Sequence, residues 1–334
     1  MKSLATYLVF CVCFVSAPGF CTLQEVREVH FQMGTFLEMT IWHTDVEEAR
    51  YLIRRSVQEV HRLDGILSNF DPQSSVSRLN QHAGKGKITI DPELHRLLGM
   101  AHWFSVKTGG YFDVTVGPLV ELWRHAGEDH KLPSSRRLEK IKSVIGFRHL
   151  RLYKNSEAEL LYPGMAVDLG GIGKGYAVDR VVQWLKQVGV HVALVNFGGS
   201  SMYALGHPPK ETCWKIAVPD TNGTLIGLIH LKNTALSTSE TMGRSWQIGG
   251  KIFGHLLNPQ TGFPISQKRL ATVVAPSATA AEALTKPLAL VGRSALPTLG
   301  EFPGAEAIIV AEKGSLSFSR RFRARTQWEE FLAP

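Results

Sequence analysis

Cysteine is scarce in this chain, with 4 among 334 residues. Cys11 and Cys13 fall in an apolar N-terminal run, so a mature chain keeps Cys21 and Cys213, or Cys213 alone. That gives no case for a disulfide framework, and no CxxC pair or zinc spacing is present. Long apolar runs are also missing: Tyr7 to Val15 is too short to cross a bilayer comfortably. The chain has no internal repeat, low-complexity tract or clear linker, which argues for one intimate unit. Charged residues make up 20% against 44% hydrophobic ones, a balance that argues against disorder. Familiar catalytic signatures are absent too. There is no HExxH and no GxSxG elbow. A Walker loop needs glycine where Asp168 stands, and Gly171, Gly173 and Gly175 lack dinucleotide-fingerprint spacing.

The N-terminus reads as a targeting segment over residues 1–20. Lys2 is a short basic region, Tyr7 to Val15 the apolar region, and Ala17-Pro18-Gly19 a small-residue cleavage context before Phe20. Export to a periplasm-like compartment is expected, with residues 21–334 as the functional domain. Cys21 raises inner-membrane anchoring through a lipid as an alternative, although Pro18-Gly19-Phe20 suits lipidation poorly. The formal charge is +8. Its densest run, Arg320 to Arg325, reads as a solvated basic strand or tail rather than a nucleic-acid patch, and no nucleic-acid partner is expected.

Strand and helix patterns alternate without a regular βαβ repeat, which predicts an α+β fold. Thr35 to Trp42 reads as a strand. Asp45 opens a helix with Glu48 as capping-box partner. Val46, Ala49, Leu52, Ile53, Val57, Val60, Leu63 and Leu67 mark its buried face. Asp91-Pro92 starts a second helix. Arg148 to Leu161 reads as a hairpin, His191 to Phe197 as a strand, and Thr279 to Val291 as a helix.

The most informative stretch runs from Asp168 to Asp179. A carboxylate enters a glycine-dense turn holding Lys174, and a helical pattern follows. Glycines let backbone N–H groups approach a ligand, and a helix N-terminus favours anions, so this segment suits a phosphate-bearing molecule. Four other stretches are unusual: Met33-Gly34-Thr35, Gly109 to Leu119, Ser237-Thr238-Ser239 followed by Arg244, and His255 to Pro264. Each alone is compatible with ordinary turn chemistry.

Taken in order, these stretches resemble the flavin transferase family (ApbE-like), over about Phe31 to Trp328. The resemblance implies a T-fold-like α+β architecture in one compact unit. It implies FAD as donor, Mg²⁺ as helper, and transfer of FMN onto a Thr or Ser hydroxyl of a target flavoprotein with release of AMP. Residue by residue, it implies that Met33 and Phe70 border the flavin and that Asp113 and Asp168 line the FAD site. Lys174 would face the ligand, and Lys174 with Arg244 would neutralise the pyrophosphate. His255 would lie near the phosphates as the catalytic base. Gly171 would turn its carbonyl to the metal, with Glu282 and Lys286 at the remaining metal positions.

The chain departs from the family at those last two positions. Glu282 replaces an Asp, and Lys286 replaces a Thr that cannot be matched by a protonated amine. Thr285 stands one residue out of register, and Pro287 is expected to disturb the helix further. Ser239-Glu240 replaces Ser-Gly and brings a carboxylate toward the phosphates. Two readings follow: a working transferase with an altered cation site, or an FAD-binding carrier or maturation protein impaired in transfer. An ion pair between Lys286 and Glu282 would favour the second.

Overall fold

The computed structural model describes residues 22–331 apart from Arg244. The expected targeting segment, Cys21 and Arg244 therefore lie outside the described residues.

The described residues begin with a hairpin of Gln24–Gln32 and Thr35–His43. Met33 (φ +45°) and Gly34 (φ +73°) form its turn, both in the left-handed region. Two such residues match the twist of the flanking strands. Six further strands complete an antiparallel sheet of eight: Ala193–Phe197, Ser201–Leu205, Thr234–Glu240, Arg269–Ala275, Glu306–Ala311 and Leu316–Phe318. Strands adjacent in this series are neighbours in the sheet, and the other elements are inserted between them or, near the C-terminus, follow the last one.

The insertion after the second strand carries α1 (Val46–Leu67), α2 (Ser75–Gln81), α3 (Pro92–Lys107), α4 (Gly117–Glu128), α5 (Ser135–Lys142) and α6 (Gly173–Gln187). The helix α7 (Ala278–Val291) follows the strand Arg269–Ala275. Asp45 caps α1 by accepting from Glu47 and Glu48 N–H groups. The expected capping box is only half formed, because Asp45 N–H donates to His43 Nδ1 instead. Asp91 caps α3 with Pro92 in its first turn, as the sequence predicts.

Leu52, Val60, Val181, Leu185, Ala281 and Leu288 from α1, α6 and α7 meet Met39, Ile41, Val195 and Val273 of the sheet in the main core. Its opposite face, with Met202, Leu236 and Ile308, packs on Val218, Ile229, Leu231 and Phe322. Phe322 belongs to the short helix α8 (Phe322–Thr326), so the basic run at the C-terminus is anchored by a buried ring. Arg323 within it pairs with Glu330. A third core gathers Leu119, Leu122 and Trp123 of α4, Leu138 of α5, Ile248 and Leu257.

Pro287 does not break α7, which runs through to Val291. A proline lacks the N–H that would bond four residues back and crowds that carbonyl. Packing of Ala281, Leu284, Leu288 and Ala289 into the main core keeps the helix continuous across that defect.

Candidate functional site

The glycine segment ends at the N-terminus of α6. Gly175 allows α6 to lie against α7: a Cβ there would sit 2.3 Å from the Ala278 carbonyl oxygen. Asp179, one turn on, accepts from the backbone N–H groups of Ala278 (2.7 Å) and Thr279 (2.8 Å). It therefore caps α7 from the neighbouring helix. These contacts bring the start of α6 beside Glu282 and Lys286 on α7.

Glu282 is 2% exposed, and both its carboxylate oxygens are engaged. Lys174 Nζ lies 3.0 Å from Oε1, and Gly175 N–H donates to Oε2 at 2.6 Å. Burial acts to raise this carboxyl, but Lys174, Lys286 and the Gly175 N–H outweigh it and hold it below its ordinary range. The ion pair is thus Lys174 with Glu282, and Lys174 turns inward instead of wholly toward a ligand. Lys286 reaches neutral oxygens: Ser239 Oγ at 3.0 Å, Thr285 Oγ1 at 3.1 Å and the Glu282 carbonyl at 3.2 Å. Burial pushes its ammonium down to about 8, against the pull of Glu282. Thr285, out of register on paper, still meets Ser239 Oγ at 2.7 Å. Gly171 lies against this side chain, since a Cβ on it would stand 3.3 Å from Lys286 Cε. The Glu240 carboxylate lies beside Gly243.

Asp168 sits at the mouth of the segment. Its Oδ1 accepts from Gly170 N–H at 2.8 Å, and Oδ2 from Asn69 Nδ2 at 3.5 Å. Burial pushes its carboxyl above the ordinary range in spite of these donors. Asn80 clamps the preceding residue, donating to the Val167 carbonyl and accepting from its N–H. Phe70, beside Asn69, is 96% exposed, a ring with no protein partner face. Met33 packs at the edge of the main core from its strained turn. Thr35, two residues on, touches the Gly198–Gly199 turn, which leads to Ser200, whose carbonyl accepts from Ser237 Oγ and Thr238 N–H.

Asp113 is buried, and its oxygens accept from Thr115 N–H and Oγ1 and from Phe147 N–H, each at 2.7 Å. Burial pushes its carboxyl up as well. All these bonds tie loop to loop, so Asp113 acts through position. It lines a cleft of about 330 Å³ with Gly109, Gly146, His149, Pro259 and Gln260. That cleft joins two of the unusual stretches. Gln260 Nε2 donates to the Gly109 carbonyl, and Trp123 Nε1 to the Gly262 carbonyl. The Gly109 stretch in turn holds the glycine segment, with Asp168 N–H donating to the Val114 carbonyl at 2.7 Å. His255 is half-buried and follows Gly254, whose Cα lies against the Thr241 carbonyl just beyond the Thr234–Glu240 strand.

Among the described residues no three His, Cys, Asp or Glu side chains converge as a cation cage. The donor chemistry at Gly171, Glu282 and Lys286 also does not fit Mg²⁺. That ion demands a near-octahedral set of oxygens. Here both Glu282 oxygens are engaged, and an ammonium already occupies the Ser239, Thr285 and Glu282 carbonyl oxygens. Sequence reasoning missed Asn69, Asn80 and Gln260, whose roles depend on partners far along the chain. Only their proximity to proline turns at Pro72 and Pro259 marked two of them.

Residues 33–309 match the ApbE family. The FAD:protein FMN transferase of Escherichia coli K12 is 26% identical over 84% of this chain and 83% of its own. That of Haemophilus influenzae is 32% identical over 75% of this chain and 72% of its own. The crystal structure of the ApbE protein from Thermotoga maritima superposes with a TM-score of 0.82 at 28% identity, covering 91% of this chain and 99% of that one.

Proposed function

This chain belongs to the ApbE family, and on that premise we propose that it is an FAD:protein FMN transferase. The observation that carries the reading is the meeting of the separate stretches at one place. The glycine segment, the Gly109 stretch and the His255 turn are hydrogen-bonded in series, and the Ser237–Ser239 stretch closes on α7 through Lys286.

In the reaction, a Ser or Thr hydroxyl of the target protein attacks the FMN phosphorus of FAD. A new phosphoester P–O bond forms, the pyrophosphate P–O bond breaks, and AMP leaves with that bonding pair. The hydroxyl proton passes to a base, and His255 suits the role because an imidazole titrates near neutrality. The N-terminal end of α6 and the net positive charge of the lysine cluster favour phosphate oxygens electrostatically. Phe70 supplies an exposed ring for the flavin face, and Met33 sits on the turn nearest the Gly198–Gly199 loop. Arg244, outside the described residues, adds charge. Export of the mature chain, and any attachment of its N-terminus to a membrane, belong to the same proposal and rest on residues 1–21.

The test is direct. The exported form is incubated with FAD and a flavin-accepting target, then resolved on a denaturing gel. Covalent flavin fluorescence in the target is expected. FAD that stays bound while the target remains dark would leave the carrier reading in its place. A His255→Asn variant that labels at the wild-type rate would remove His255 as the base.

A further inference from the structure

We propose that the Lys286 ammonium is this protein's own cation at the phosphate end of the site, so that FAD pyrophosphate binds without a divalent metal. The proposal rests on the flavin transferase reading and specifies how its substrate is held. Its basis is an arrangement of charges and oxygens that nothing in a metal-dependent site would require.

Three oxygens hold Lys286 Nζ at 3.0 to 3.2 Å: a serine hydroxyl, a threonine hydroxyl and a main-chain carbonyl. They come from two elements, the strand Thr234–Glu240 and α7. All three are formally neutral, so they orient the ammonium without cancelling its charge. Lys174, by contrast, is matched by Glu282 at 3.0 Å. Two ammonium groups face one carboxylate, and the cluster keeps one net positive charge beside the N-terminus of α6. A second cation placed among the same oxygens would meet that charge in a partly desolvated setting, where repulsion is strong. An anion is attracted there, by the net charge of the cluster and by the positive end of the α6 dipole together.

The fit also extends to the glycine segment. Gly171 has no side chain where Lys286 passes, and a Cβ would crowd Lys286 Cε at 3.3 Å. Phe112 closes the other side at 3.6 Å from the same point. Lys286 is therefore enclosed by the segment that binds phosphate, rather than lying loose at the surface. All three N–H bonds of its ammonium have protein acceptors, so it acts as a fixed charge. A fixed charge is what a bound metal supplies to a pyrophosphate in the ground state and during departure of AMP.

Binding of FAD and of riboflavin is followed by flavin fluorescence, in EDTA and in excess Mg²⁺, for the wild type and for Lys286→Thr. For the wild type, the FAD Kd is expected to be unchanged within about twofold between the two media, while riboflavin, which lacks the phosphates, shows weaker binding in both. Lys286→Thr is expected to bind FAD at least roughly tenfold more weakly in EDTA, with Mg²⁺ restoring part of the loss. Circular dichroism and melting verify that the variant folds, and the chelation arm on the wild type needs no variant. Wild-type FAD binding that collapses in EDTA would overturn the proposal and leave the transferase reading intact. An unchanged FAD Kd for folded Lys286→Thr in EDTA would overturn it equally. Failure of the wild type to bind FAD in either medium would overturn both.

Discussion

Burial pushes the Asp168 carboxyl above its ordinary range, although Gly170 and Asn69 donate to it. Its folded pKa then exceeds the unfolded one, so the native state binds the extra proton between the two. Stability from this group is highest at acid pH and falls as pH rises through that window. Asp168→Asn keeps an acceptor for Gly170 and removes the charge. The variant is expected to melt at or above the wild type near neutral pH, with a flatter stability profile just above the ordinary carboxylate range. Transfer is expected to fall by at least about tenfold if the carboxylate handles protons or orients substrate. Unchanged transfer would reduce Asp168 to a turn residue. Asp113 was equally visible in the sequence, yet its oxygens are spent on Thr115 and Phe147. A sequence shows that a carboxylate is present. Whether its oxygens are already engaged depends on residues such as Phe147, 34 positions away.

Among the elements, the pairing of α6 with α7 governs the site. Ala is a better helix former than Gly by about 1 kcal/mol, so Gly175→Ala considered as helix alone would stabilise. The structure reverses that sign. The added methyl would sit 2.3 Å from the Ala278 carbonyl oxygen, a main-chain atom that moves only if the helices separate. A net loss of about 1–3 kcal/mol is expected in urea unfolding. Separation would also pull Lys174 from Glu282, so FAD affinity should fall in the same variant. A variant as stable as the wild type would show that the helices have room to spare. Caps, the glycine turn and apolar periodicity together located α1, α3, α6 and α7 to within a few residues. They did not foresee that α7 would run past Pro287, since the compensation comes from core packing rather than from local propensity.

For the whole molecule, the site spans two hydrophobic cores. The glycine segment and α7 rest on the main core, while the turn after His255 is fastened to Trp123 and Leu257 of the third. A ligand that touches both couples them. FAD at about 100-fold over its Kd is expected to raise unfolding free energy by roughly 2.7 kcal/mol. The matching rise in melting temperature should be smaller for riboflavin at equal concentration. A melting temperature unmoved by saturating FAD would count against a ligand that bridges the cores.

The amino-acid sequence by itself determined the α+β character, the helix starts at Asp45 and Asp91, and the ordered motifs that lead to the flavin transferase family. Those features are local: caps, glycine turns and apolar periodicity act within a few residues. Only the tertiary structure decided which lysine pairs with Glu282. The sequence offered Lys286 as one candidate partner, four residues along, whose pairing would have favoured the carrier reading. The fold supplied Lys174 instead, 108 residues away, at 3.0 Å. Because Gly175 lets α6 lie against Ala278, Lys174 reaches the carboxylate first. Lys286 is left to Ser239 and Thr285, with its charge unspent beside the phosphate-binding turn.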